Sequence, residues 1–139
     1  PKRAIRILKK GALLWPADGR VVAPFGRQQH PTLKTYINKN GIEIEAREGS
    51  EIKAVFGGSV VFADWLKGYG LVVILDHYNG FFSFYAHASK LVVERDDDVV
   101  TGEVIGHIGA SGLTDKTILY FELRKGIQPV DPQKWLVRR

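Results

Sequence analysis

A mostly β, antiparallel single-domain fold is what this sequence predicts, on three observations. Short β-branched and aromatic runs recur along the chain, Gly, Pro and Asn punctuate them, and no segment sustains a helical apolar period. At 139 residues the chain fits one domain, large enough to bury a core without covalent staples. The domain is expected over residues 14–139, with 1–13 as a basic linker or short amphipathic lead-in carrying Ala4, Ile5, Ile7 and Leu8.

The elements follow in order. Val21-Val22-Ala23-Pro24-Phe25-Gly26 is a short apolar run closed by Pro and Gly, and Arg27 to Asn40 is a polar stretch with few strand signals. Gly41-Ile42-Glu43-Ile44-Glu45-Ala46 alternates with period two, as a half-buried strand does. Glu51–Ala54, Gly58–Ala63 and Leu71–Asp76 are further β-branched runs. His77-Tyr78-Asn79-Gly80 is a hairpin signal, because Asn-Gly tolerates the positive φ of tight turns. Phe81–His87 is the return strand, with Phe82, Phe84 and Ala86 on one face and Phe81, Ser83, Tyr85 and His87 on the other. The acidic run Asp96-Asp97-Asp98 predicts a turn. Val104–Ile108 and Leu119–Arg124 are the last strong strands, with Gly109-Ala110-Ser111-Gly112 as a loop between them.

Composition narrows the function classes. The chain is 45% hydrophobic and 25% charged, an ordinary globular mixture, and no apolar run reaches the length needed to span a bilayer. The net charge of +5 suits an acidic partner, although much of the excess sits near the ends, in Lys2, Arg3, Arg6, Lys9, Lys10, Arg138 and Arg139, and reads as solvated charge. No basic helix, zinc-finger spacing or RNA-binding motif points to nucleic acid. Cysteine is absent, which excludes disulfides and thiolate metal sites. The chain opens at Pro1 and contains no methionine, so it reads as a domain of a longer protein, with any signal or anchor outside it.

Several local patterns, in one order and spacing, resemble a single family. They are Gly49-Ser50-Glu51-Ile52-Lys53-Ala54 with Gly57–Ala63, Gly68–His77, Phe84-Tyr85-Ala86-His87, Gly102–Gly106 with Gly109–Gly112, and Phe121-Glu122-Leu123-Arg124 with Val130-Asp131-Pro132. Together, over roughly residues 15 to 136, they are similar to the LytM or lysostaphin-type zinc peptidases of the cell wall. The resemblance implies a duplicated hybrid motif-like antiparallel β architecture with a groove over the sheet. In active members zinc is held by the His and Asp of an H-x-x-x-D motif and by the second His of an H-x-H motif, leaving a coordination position for water.

Here that pattern is broken. Lys39 stands at the first His position and Glu43 at the Asp position, while Ile118-Leu119-Tyr120 replaces His-x-His. Ile118 thus stands for a catalytic His and Tyr120 for a zinc ligand. A lysine repels a dication, isoleucine has no donor, and neutral tyrosine is a poor ligand. Only His87, at a catalytic but not a ligating position, survives. No metal and no cofactor is expected. His30 lies in a polar loop, His77 at a hairpin turn as an exposed residue, and His107 at a surface position of a half-buried strand. The four histidines come from unrelated elements and do not predict a rebuilt site.

The residues leave two readings open for the former site. Drift after metal loss would leave Lys39 and Glu43 as a compensating ion pair. Alternatively, the groove now binds protein through Lys39, Glu43, Tyr69, Tyr85, His87, Tyr120 and Arg124, since Tyr and Arg dominate binding hot spots. The resemblance favours the second. Val61–Val73 and Leu119-Tyr120-Phe121-Glu122 are especially similar to the EnvC class of non-catalytic activators of peptidoglycan amidases, although the retained His87 and the Phe25-Gly26…His30-Pro31 segment look closer to true peptidases. It implies a periplasmic or otherwise extracytoplasmic regulator in cell division, with an amidase or other cell-wall hydrolase as partner and peptidoglycan as a further ligand. The alternatives are a residual zinc endopeptidase using Glu43 and His87, and a passive peptidoglycan-binding or scaffold module.

Overall fold

A computed structural model describes residues 8–109 and 117–139. Twelve strands and one short 3-10 turn make up its regular structure among those residues. In chain order the strands are β1 (Arg20–Ala23), β2 (Gly26–Gln29), β3 (Tyr36–Lys39), β4 (Ile42–Glu45), β5 (Glu51–Lys53), β6 (Gly58–Leu66), β7 (Gly70–Asp76), β8 (Phe81–Leu91), β9 (Asp98–Val99), β10 (Val104–Ile108), β11 (Ile118–Lys125) and β12 (Gln128–Val130). The main sheet runs β1-β4-β11-β8-β7-β6-β9, with β12 beside β11 and β10 joining β8 to β5. Every named strand pair is antiparallel.

Alternation along the central strands produces two unlike faces. Ile42 and Ile44 of β4, Leu119, Phe121 and Leu123 of β11, Tyr85 of β8 and Val73 and Leu75 of β7 are buried on one of them. Val60, Ile52, Ile105, Ile108, Val55 and Leu136 are among the residues that join that core. The opposite face carries Glu43, Tyr120, Glu122, Arg124, Phe84 and Ile74, which cross-strand registers place side by side. This second face is the floor of the candidate site.

The hairpin read from Asn79-Gly80 joins β7 and β8. Tyr78, Asn79 and Gly80 all take positive φ there, and Asp76 accepts a hydrogen bond from the Tyr78 N–H at 2.8 Å. The stretch Arg27–Asn40, expected to hold few strands, instead contains β2 and β3, which pair with each other as a separate two-stranded sheet. Its residues gave no apolar alternation because the hairpin is solvated on both faces; 31–38 are exposed throughout. The boundary expected between residues 13 and 14 also shifts. Leu8 and Leu13 are buried in the core, Leu13 bridges Leu136 in parallel, and the Leu13 N–H donates to the Trp135 carbonyl. The terminal Lys9, Lys10, Arg138 and Arg139 are exposed, and the Arg139 guanidinium also stacks 3.6 Å from the Trp15 ring centroid. Of the expected loop after β10, all but Gly109 lies outside the described residues.

Candidate functional site: a side-chain network where metal ligands would stand

Strand register decides what reaches the site. Glu43 of β4 lies opposite Tyr120 of β11, and Tyr120 lies opposite Ala86 of β8. Lys39 ends β3, three residues before β4 begins, so its side chain returns over the sheet to Glu43. Its Nζ is 3.0 Å from Glu43 Oε2, with both side chains about one-third exposed. The ion pair weighed from the sequence is therefore present, and it occupies the two positions that the resemblance assigns to a His and an Asp ligand.

On β11, alternation sets Tyr120, Glu122 and Arg124 on one face. The Tyr120 hydroxyl donates to Glu122 Oε2 at 2.5 Å, and Arg124 Nε donates to Glu122 Oε1 at 2.7 Å. Arg124 is held again by Nη1 donating to the Ile127 carbonyl at 3.1 Å. The Glu122 side chain is only 5% exposed, so its carboxylate depends on these two donors in place of water. Burial, reinforced by the bond to Glu122, pushes the Tyr120 phenol well above its ordinary pKa. The sheet packs closely around this trio: a Cβ at Gly41 would stand 2.8 Å from Glu122 Cγ and 2.4 Å from the Phe121 carbonyl oxygen.

Tyr69, from the β6–β7 turn, completes an aromatic cluster. Its ring centroid is 5.2 Å from Phe84, edge to face, and 6.1 Å from Tyr120; Phe84 and Tyr120 are 6.2 Å apart. Beside this cluster Ile74, Phe82, Phe84, Glu122 and Arg124 line an open slot of about 300 Å³. It is an apolar floor with one cation at its edge.

Two expectations for this face are corrected. Tyr85 is not in the groove: it is 1% exposed, packs against Phe121 at 5.2 Å between ring centroids, and sits among the core residues. It is Phe84, its neighbour of opposite parity, that reaches the groove. Nor does His87 share a face with Tyr85. The β7–β8 register shifts between Leu71 and Val73, His87 adopts φ of 67°, and its N–H donates to the Tyr69 carbonyl at 2.8 Å. This bulge re-aims the half-buried imidazole. Burial lowers its pKa while the nearby Glu43 charge opposes that shift. Ile118, at the start of β11, is half-buried opposite Glu45.

The remaining histidines stay apart from one another. His77, expected to be exposed, is fully buried because longer-range partners claim both nitrogens. Nδ1 lies 3.0 Å from the Gly57 carbonyl oxygen and Nε2 2.6 Å from Ser83 Oγ. Ser83 Oγ is 2.8 Å from the Tyr85 hydroxyl, whose oxygen accepts the Val55 N–H at 3.0 Å. A carbonyl can only accept, so Nδ1 carries the proton and Ser83 donates to Nε2; Tyr85 then donates to Ser83, which satisfies every group. Burial lowers the His77 pKa, consistent with this neutral imidazole. His30 is occupied locally, its Nδ1 accepting from the Leu33 N–H at 3.1 Å. His107 is half-buried on β10.

A catalytic zinc needs three protein donors and an open position. Here Glu43 is engaged by an ammonium group, Tyr120 is a neutral phenol already donating to Glu122, and Ile118 offers no donor. Among the described residues no three His, Cys, Asp or Glu side chains gather as a metal-holding group. The donor set does not fit the metal.

The sequence profile of Peptidase family M23 matches residues 37–132, from within β3 through the site to just past β12. The chain belongs to peptidase family M23. It is 39% identical over 129 residues to the murein hydrolase activator EnvC of Escherichia coli (strain K12), covering 93% of this chain and 30% of that protein. It is 37% identical over 130 residues to the lipoprotein NlpD/LppB homolog of Pseudomonas aeruginosa, covering 93% and 41%. Among solved structures, Helicobacter pylori Csd3 superposes with a TM-score of 0.80 at 28% identity, covering 94% of this chain and 36% of that one. The chain thus spans well under half the length of these relatives.

Sequence reasoning missed Glu122, Phe84 and the hairpin of β2 and β3. Glu122 was within reach: it stands midway between Tyr120 and Arg124 at the two-residue spacing of one strand face.

Proposed function

We propose that this M23 domain is a non-catalytic regulator of cell-wall hydrolysis, which binds a segment of a peptidoglycan amidase in the groove and thereby activates the enzyme. The observation that carries the reading is the replacement of the family's metal positions by the Lys39–Glu43 pair beside the Tyr120–Glu122–Arg124 network. A fixed aromatic floor with an oriented guanidinium suits protein recognition. The similarity to proteins named murein hydrolase activators supports the same reading, and with it a location outside the cytoplasm. Activation follows as a population shift: the domain must bind the amidase's open state better than its closed one.

The test is release of dye from labelled peptidoglycan sacculi by a purified amidase, with and without the domain. Tyr120→Ala and Arg124→Ala each abolish stimulation while leaving circular dichroism unchanged. Full stimulation by both variants would remove the groove from the account. A passive peptidoglycan-binding module predicts instead that sacculi sediment the domain and that no amidase responds. The alternative reading is a residual or rewired zinc endopeptidase using Glu43 and His87. That reading requires stoichiometric zinc and chelator-sensitive cleavage of cell-wall peptides.

A further inference from the structure

The β2–β3 hairpin has features that the groove does not explain. It forms a sheet of its own, and among the described residues neither strand pairs with a third. Leu33 is 67% exposed, Tyr36 58% and Ile37 42%. Isolated two-stranded sheets are marginal in water, and open strand edges are ordinarily blunted or covered. This one is ordered locally by the Arg27 guanidinium, 3.8 Å from the Tyr36 ring centroid, and by His30 Nδ1 accepting from the Leu33 N–H in the connecting turn.

Its charge is one-sided. Between Asp18 and Glu43 the sequence has no carboxylate but contains Arg20, Arg27, Lys34 and Lys39. Arg20 and Lys39 pair with Glu45 and Glu43 at the root of the arm. Arg27 and Lys34, farther out and exposed, meet no carboxylate among the described residues. The arm is also continuous with the groove. Ile37 lies two residues before Lys39 in β3 and so on the same face. A chain leaving the groove past the Lys39–Glu43 pair therefore meets Ile37 next.

From these observations we propose that the β2–β3 arm is a second docking surface, which takes an extended, acidic, aliphatic-rich protein segment as an added strand. The inference rests on the regulator reading only in taking the partner to be a protein. Strand addition uses the open backbone edge for affinity and side-chain contacts on alternating faces for specificity. Tyr36 and Ile37 point to opposite faces, which suits that mode. A membrane surface needs a single apolar face, and the arm has none.

Selection of a random dodecapeptide phage library on the purified chain at low salt tests the arm without an identified partner. The enriched peptides should carry Asp or Glu alternating with Val, Ile, Leu or aromatic residues. Their affinity, by fluorescence anisotropy, should fall at least about tenfold in the Arg27→Glu/Lys34→Glu variant and weaken as salt rises. It should persist in Tyr120→Ala, and Leu33→Ser should weaken it without adding charge. A thermal melt matching the parent establishes that each variant is folded. Failure to enrich acidic peptides, or enriched peptides that bind the arm variant as tightly as the parent, overturns the proposal. So does arm-dependent binding to phosphatidylglycerol vesicles with no peptide selected. Should the arm select acidic peptides while no amidase is stimulated, the amidase reading fails and the arm stands.

Discussion

Replacing Glu122 tests whether the groove is a built network or a set of coincident side chains. Its carboxylate accepts from Tyr120 at 2.5 Å and from Arg124 at 2.7 Å, one donor on each oxygen. Hydrogen bonds to a charged group contribute about 1.5–3 kcal/mol each where water is excluded. The Arg124 side chain is 36% exposed, so solvent screens its share toward the low end of that range. Glu122→Gln keeps the shape but has one acceptor oxygen for two donors, and should cost about 1–2 kcal/mol. Glu122→Ala removes both acceptors and leaves a void, and should cost about 3 kcal/mol. For a domain of this size, at about 3–4 °C per kcal/mol, the melting temperature should fall by about 10 °C in the alanine variant and about half that in the glutamine one. Calorimetry with the double cycle Tyr120→Phe/Glu122→Gln reads the coupling directly. The same variants should lose amidase stimulation, because Tyr120 and Arg124 are no longer held in place. Melting temperatures equal to the parent for both substitutions would refute the network argument.

Other expectations follow from the buried chain His77–Ser83–Tyr85. Tyr85→Phe removes the acceptor of the Val55 N–H and the partner of Ser83, and urea unfolding should show a loss of about 1–3 kcal/mol. His77 and His87 are both held below their ordinary pKa, chiefly by burial. A depressed folded pKa contributes stability that is present above the unfolded value and lost on acidification. The urea midpoint should therefore hold above about pH 6.5 and decline below it toward the folded values. In His77→Gln that decline should shrink to the His87 share; a midpoint independent of pH in the parent would contradict the neutral buried imidazole.

The fold was largely legible because its signals are local. The period-two run Ile42–Glu45 and the Asn79-Gly80 turn each became the expected element. What stayed hidden depends on contacts distant in sequence. Nothing adjacent to His77 marks it as buried, since Gly57 and Ser83 are what satisfy its nitrogens. Alternation separates Phe84 from Tyr85 but does not say which faces the core, and the resemblance assigned Tyr85 to the wrong face. His87 departs from its strand's alternation through a bulge set by positive φ, which a non-glycine residue does not announce. The β2–β3 arm escaped notice because a hairpin that buries neither face carries no apolar period. The site itself was read as a set of substitutions at Lys39, Glu43, Ile118 and Tyr120. Their chemistry could be argued from residue type, and the clamp of Glu122 on Tyr120 and Arg124 follows from alternation along β11 alone; setting Tyr120 opposite Glu43 and Glu122 opposite Phe84 required the register of β11 against β4 and β8.

The claim that side chains have taken over the metal positions is tested most directly by elemental analysis of the purified domain after zinc loading and dialysis. With Lys39 bound to Glu43 and Tyr120 bound to Glu122, the account predicts less than about a tenth of an equivalent of retained zinc. A full, tightly held equivalent that is lost in Glu43→Ala would mean that the site still binds metal, and would contradict the account.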